Sequence, residues 1–238
     1  MRINSIAHSY AYNFNKRPQN SIPKQIYNNS AQNPISCSGN IKSERERILF
    51  DKINQIKNKG ENLYSEYMSY ANEAMSILNR YNSNPSDSDF PYSIIQYGEL
   101  TRRNAKISDS NDEYKYSVQY DQKENKINSV SICGENSETT ALFYNGNISS
   151  IKAVKLGENG AEIKLYSFKD GKLGAYQNYL LNKNIKTVKE ELFIGESNKI
   201  EYKQNTPAKT PNQPVLEEFY EFENGRFIRY RFRKLKKN

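Results

Sequence analysis

Arg226, Arg229, Arg231, Arg233, Lys234, Lys236 and Lys237 follow one another near the C-terminus with no acid between them. Side chains of this type at this density bind anions: phosphate oxygens, acidic lipid headgroups, or the carboxylates of another protein. Strand alternation sets where the charge points. In an extended segment Ile228, Tyr230 and Phe232 share one face and Arg229, Arg231 and Arg233 share the other. The candidate anion or partner contacts are therefore Arg229, Arg231, Arg233, Lys234, Lys236 and Lys237. The preceding segment carries Glu217 and Glu221, so the arginines also read as a solvated strand face, each exposed pair worth under about 1 kcal/mol. With Glu223-Asn224-Gly225 as a three-residue loop, Tyr220 falls opposite Ile228, Glu221 opposite Phe227 and Glu217 opposite Arg231. A two-residue loop would set Glu221 against Ile228 and Tyr220 against Arg229, mixing the faces.

Other chemistry is sparse. His8 is the only histidine and lies near the N-terminus, so no triad, histidine base or histidine-rich metal site can be assembled. Asp109-Ser-Asn-Asp112-Glu113 and Asp87-Ser-Asp89 have calcium-ligand types without the spacing of an EF-hand loop, and turn chemistry accounts for both. Cys133 has no neighbouring histidine and reads as a small apolar residue; a disulfide to Cys37 is not expected, which suits a reduced compartment. Carboxylates are plentiful, but nothing picks out a pair for glycoside chemistry. The sequence thus points to no enzyme, no catalytic residue, no cofactor and no metal.

The formal net charge of +8 is unevenly spread. Residues 1–43 hold five cations and no acid, residues 226–237 hold seven cations and no acid, and the remainder is left at −4. Apolar residues make up only 36% of the chain, so a core must draw on its 19 Tyr and 10 Phe. No segment reaches the length of a membrane span, and the N-terminus lacks the apolar stretch of a secretory signal. The expected location is the cytoplasm, or export by a route without such a signal.

The elements that position these residues fall in order. Residues 1–41 contain three prolines and no sustained periodicity, and are read as a disordered polar tail. Residues 42–83 are helical, with Ser43 and Glu46 as a capping box and a stripe of Leu49, Ile53, Ile56, Leu63, Tyr67, Ala71, Ala74, Leu78 and Tyr81. A single helix of that length reaches about 60 Å, roughly twice the length of a short strand, so a break near Asn58–Asn62 is expected, with Gly60 at its centre. The competing view is one unbroken helix pairing with a second copy as a coiled coil. Residues 84–92 form a linker, and 93–238 hold about eleven strands, the first at 93–107.

A turn signature recurs through these strands: Phe143-Tyr-Asn-Gly146-Asn-Ile148, Phe168-Lys-Asp-Gly171-Lys-Leu173 and Phe222-Glu-Asn-Gly225-Arg-Phe227. Two longer relatives begin at Tyr120 and Phe193, so the leading aromatics lie 23, 25, 25 and 29 residues apart. Asn-Gly and Asp-Gly supply the positive φ of tight reversals, and short connections leave no room for parallel crossovers. Over about residues 97–235 this rhythm resembles MORN-type and related bacterial hairpin-repeat proteins, without their additional glycines and Trp. The resemblance implies an extended hairpin sheet used for binding or assembly.

The fold class expected is α+β: an N-terminal helical segment followed by an antiparallel up-and-down meander, either an open curved sheet or a partly closed barrel, with the helical stripe on one face. The leading function is a non-catalytic binding or scaffold protein engaging a protein or an anionic surface. A carrier enclosing an apolar ligand, an acid-catalysed enzyme and a nucleic-acid binder are the alternatives, with self-association through the helix a further expectation.

Overall fold

The computed structural model describes residues 39–98, 102–109, 111, 113–158, 160–182, 185–206 and 215–235. Residues 1–38 of the expected tail, with His8 and Cys37, and residues 207–214, Lys236 and Lys237 lie outside them, while residues 39–41 of that tail belong to a helix. Among the described residues one α-helix, α1 (Gly39–Ser83), precedes twelve strands: β1 (Ser93–Gly98), β2 (Arg102–Ser108), β3 (Tyr114–Asp121), β4 (Lys126–Cys133), β5 (Ser137–Tyr144), β6 (Asn147–Gly157), β7 (Gly160–Lys169), β8 (Lys172–Asn182), β9 (Ile185–Ile194), β10 (Lys199–Thr206), β11 (Val215–Glu223) and β12 (Arg226–Leu235). They form one antiparallel sheet in strict chain order. The sheet is open, because β1 and β12 each have a single neighbour. No helix is long and apolar enough to cross a membrane among the described residues.

Two hairpin expectations need correction. The segment 93–107 is two strands, since Gly98 at φ 114° starts a reversal that pairs Gly98 with Arg103. The hairpin at Asn224-Gly225 has a two-residue loop, both residues at positive φ (49° and 76°), pairing Glu223 with Arg226. The faces stay unmixed because a bulge follows at once: Phe222 pairs with Phe227, Ile228 is the extra residue, and Glu221 pairs with Arg229. Tyr220 accordingly meets Tyr230, and Glu217 meets Arg233. The same device recurs, with Ser149 extra after Phe143–Ile148, Gly174 after Phe168–Leu173 and Asn128 after Tyr120–Ile127. Four of the five repeats thus couple a reversal with a one-residue parity correction; the repeat beginning at Phe193 pairs without one.

α1 is unbroken and starts at Gly39, so Ser43 lies within it and is not its cap. The break expected at Gly60 is absent because strand length is the wrong ruler. The helix runs across the strands. Arg45 lies over Tyr230 of β12, Phe50 packs on Phe222 of β11, and Lys52 lies over Tyr202 of β10. Further along, Tyr64 meets Phe168 of β7, the Tyr67 hydroxyl donates to the Thr139 carbonyl of β5, and Tyr70 meets Tyr116 of β3. Forty-five residues span about 67 Å, against roughly 53 Å for eleven strand spacings, so sheet width absorbs the length.

The packing is complementary along that path. A central cross-strand row holds Ala105, Val118, Val130, Ala141 and Ile151 in β2–β6, beneath a stretch of α1 that supplies Tyr67, Ile77 and Leu78. From β7 onward the row turns large: Tyr166, Tyr176, Leu192, Tyr202, Tyr220 and Tyr230. There α1 presents Gly60, whose missing Cβ would lie 3.1 Å from Leu173 Cδ1 and 3.2 Å from Tyr166 Cδ1. Gly60 therefore permits close approach. The stripe named for the competing coiled-coil reading packs on the chain's own sheet.

Candidate functional site

β12 holds Arg229, Arg231 and Arg233 on the sheet face that turns away from α1. Arg229 forks onto Glu221 at 2.8 and 2.9 Å, Arg231 reaches Glu221 at 2.8 Å, and Arg233 pairs with Glu217. Glu217 also takes Lys203 at 2.8 Å, and Lys203 a second acid, Glu191, at 3.0 Å. Burial alone would raise the Glu217 and Glu221 carboxyls; their cationic partners outweigh it and hold both below the usual carboxylate range. Phe219 lies beneath this cluster, with Lys203, Arg231 and Arg233 each within 6 Å of its ring centroid (5.9, 5.7 and 5.8 Å). The structure thus brings Arg229, Arg231 and Arg233 together over two acids and a ring, while leaving their side chains 56–64% exposed. Lys234 is exposed but falls on the opposite face, with Tyr230 and Phe232, so it does not join them.

A second constellation was not foreseen. On the helix-facing side, Glu190 pairs through Gln204 with Glu218, strand to strand, which sets the two acids about 9.6 Å apart along the sheet. Glu190 accepts from Tyr202 at 2.8 Å, Tyr176 at 3.2 Å and Asn178 at 3.3 Å, and meets Lys52 at 2.9 Å. Glu218 accepts from Tyr220 at 2.9 Å, Tyr230 at 3.0 Å, Gln204 at 3.0 Å and Arg45 at 2.6 Å. Burial raises Glu190, but donation from Lys52 and Tyr202 prevails and its carboxyl stays below the usual range. Burial first, and the neighbouring Glu218 second, push the Tyr220 hydroxyl up to about 12, and Tyr176 and Tyr202 rise further beside Glu190.

This network is a clamp. Arg45 and Lys52 stand seven residues apart, about 10.5 Å of rise, which matches the acid spacing and registers α1 on the sheet. A general acid near neutrality needs a raised carboxyl; Glu190 is held the other way. The signal was present in parity: Glu190 stands two residues before Leu192 and Glu218 two before Tyr220, acids on the apolar face of their strands.

Beside the clamp, a groove of about 440 Å³ opens between the start of α1 and the edge strand, lined by Arg45, Glu46, Leu49, Tyr220, Ile228 and Tyr230 among others. Elsewhere the acidic clusters serve turns. Asp109 accepts from the backbone N–H groups of Asn111 and Glu113, and Asp87 accepts from Arg80 and from the Asp89 N–H. Among the described residues no group of three His, Cys, Asp or Glu is placed to hold a metal ion, and Cys133 is a free, exposed thiol. Comparison with family models, with curated proteins and with solved structures finds no match, so the hairpin rhythm is the sole basis of the MORN-like resemblance.

Proposed function

We propose that the chain is a non-catalytic binding or scaffold protein whose twelve-strand sheet is stiffened by one transverse helix and engages a protein partner through its uncovered face and basic last strand. The observation that carries this reading is the division of the sheet: the face under α1 holds the buried core cluster with its tyrosines, and no helix of the described residues lies on the other face. A carrier of an apolar ligand is the weaker reading, because α1 fills the face that such a carrier leaves hollow. Nucleic-acid binding is also less favoured, since Phe219 is already occupied by three cations where base stacking needs an accessible ring.

Immobilised full-length protein tests the reading, with a variant carrying R229Q, R231Q and R233Q beside it. Retention of a protein partner from the source cell's extract, lost with the triple variant while its circular dichroism is unchanged, supports it. No retention, or recovery of a tightly bound lipid by mass spectrometry of the native protein, contradicts it.

A further inference from the structure

The edge strand β12 carries cations and one bulge, at Ile228, yet it is long and leaves an apolar row open. Edge strands expose alternate N–H and C=O groups and are usually short or interrupted. β12 runs ten residues and, among the described residues, pairs only with β11. Its helix-side residues Ile228, Tyr230 and Phe232 are 56%, 39% and 58% exposed, although Tyr220 and Phe222 on the neighbouring strand are buried. Above them α1 continues outward. Leu49 and Arg45 already reach β11 and β12, and the residues back to Gly39 add about 9 Å beyond Arg45, close to two strand spacings. The helix overhangs the sheet, and the groove of about 440 Å³ opens between its residues Arg45–Leu49 and β12.

We propose that this edge accepts one further strand, an extended segment of a partner protein in which acidic residues alternate with aromatic or aliphatic ones. The inference rests on the binding reading above and names the partner's chemistry. β11 shows what β12 pairs with: Glu217 and Glu221 opposite Arg233 and Arg229 on one face, Tyr220 opposite Tyr230 on the other. A strand on the far side meets the same residues. Its acids face arginines that share only two carboxylates across the hairpin, and its apolar residues fill the groove against Leu49, Ile228 and Tyr230. Main-chain hydrogen bonds supply affinity and the alternating side chains supply selectivity.

Charge decides between occupants. A second copy paired antiparallel through β12 sets arginine against arginine, which is destabilising for directly opposed like charges. The chain's own residues 1–38 contain four cations and no acid, and so cannot supply the carboxylates.

The test uses the full chain and a fluorescein-labelled ten-residue peptide alternating glutamate with tyrosine or phenylalanine. Two companions are needed, one with every glutamate replaced by lysine and one with a central proline that keeps the charge but removes a ladder hydrogen bond. Expected are saturable anisotropy, binding weaker by about tenfold or more for both companions, and slowed hydrogen exchange at Arg229–Lys234 only with the acidic peptide. Equal binding of the proline peptide shows charge without pairing and overturns the inference, as does protection away from β12. A dimer already protecting β12 without peptide overturns it too. Where the peptide fails but the immobilised protein still retains a partner, this inference falls and the binding reading stands; where both fail, both fall.

Discussion

Lys52 on the helix meets Glu190 of β9 at 2.9 Å, and two tyrosine hydroxyls and an asparagine amide converge on the same carboxylate. Replacing Glu190 by Ala leaves those donors without their acceptor and is expected to cost about 1–3 kcal/mol. The double change Lys52→Met with Glu190→Leu recovers part of that loss, because removing both charges also removes their desolvation. Urea midpoints at constant slope measure both.

The same carboxylate sets an acid limit. Glu190, Glu217 and Glu221 all titrate below their usual value in the fold, so their stabilisation is complete above the ordinary carboxylate pKa of about 4.3 and is lost as pH falls through the lowered values. Stability is expected to drop below about pH 4, and Glu190→Gln to flatten part of that slope. Tyr176 and Tyr202 shift upward, so their contribution is complete below about pH 10 and is lost as pH rises beyond it. Urea melts from pH 3 to 11 show both limits; a profile for Glu190→Gln parallel to wild type contradicts the assignment.

Gly60 is the close-approach point between α1 and β8. Gly60→Ala gains helix propensity of about 1 kcal/mol but pushes on Leu173 and Tyr166, so a net change under about 1 kcal/mol is expected. Gly60→Leu is expected to cost about 2 kcal/mol or more, since the buried side chains beneath have no room to move. If Gly60→Leu is neutral by thermal or urea unfolding, the helix does not lie on the sheet at this point.

The turns offer a cleaner backbone test. At Gly146 a new Cβ meets no atom within 4 Å, yet φ is +78°. Gly146→Ala is therefore expected to cost about 1 kcal/mol from conformation alone, and Asn145→Gly close to nothing. Equal losses at the two positions would contradict a turn in which both residues hold positive φ (50° and 78°).

Much of this fold was legible in the chain. The aromatic–Asn–Gly rhythm marked the hairpins and their order, because only a few residue types reach positive φ. The bulge was not legible. Ser149, Gly174 and Ile228 look like ordinary strand residues, and their extra place shows only when Phe143–Ile148, Phe168–Leu173 and Phe222–Phe227 are paired across a two-residue turn. Helix direction was hidden for a related reason. Periodicity around Gly60 reports which face is buried, and says nothing of whether that face runs along strands or across them. The stripe of Arg229, Arg231 and Arg233 was visible by alternation, whereas the Glu190–Glu218 clamp needed three-dimensional pairing to appear.

The central claim is that α1 crosses the sheet from the β12 edge toward β1 in a single sweep. Spin labels on a background with Cys37 and Cys133 replaced by Ser test it, comparing Glu46→Cys/Ile228→Cys with Glu46→Cys/Ile95→Cys. The account predicts less than about 20 Å for the first pair and more than about 40 Å for the second, given the strand spacings between the two edges. Similar distances for both pairs, or a short distance to Ile95, would contradict it.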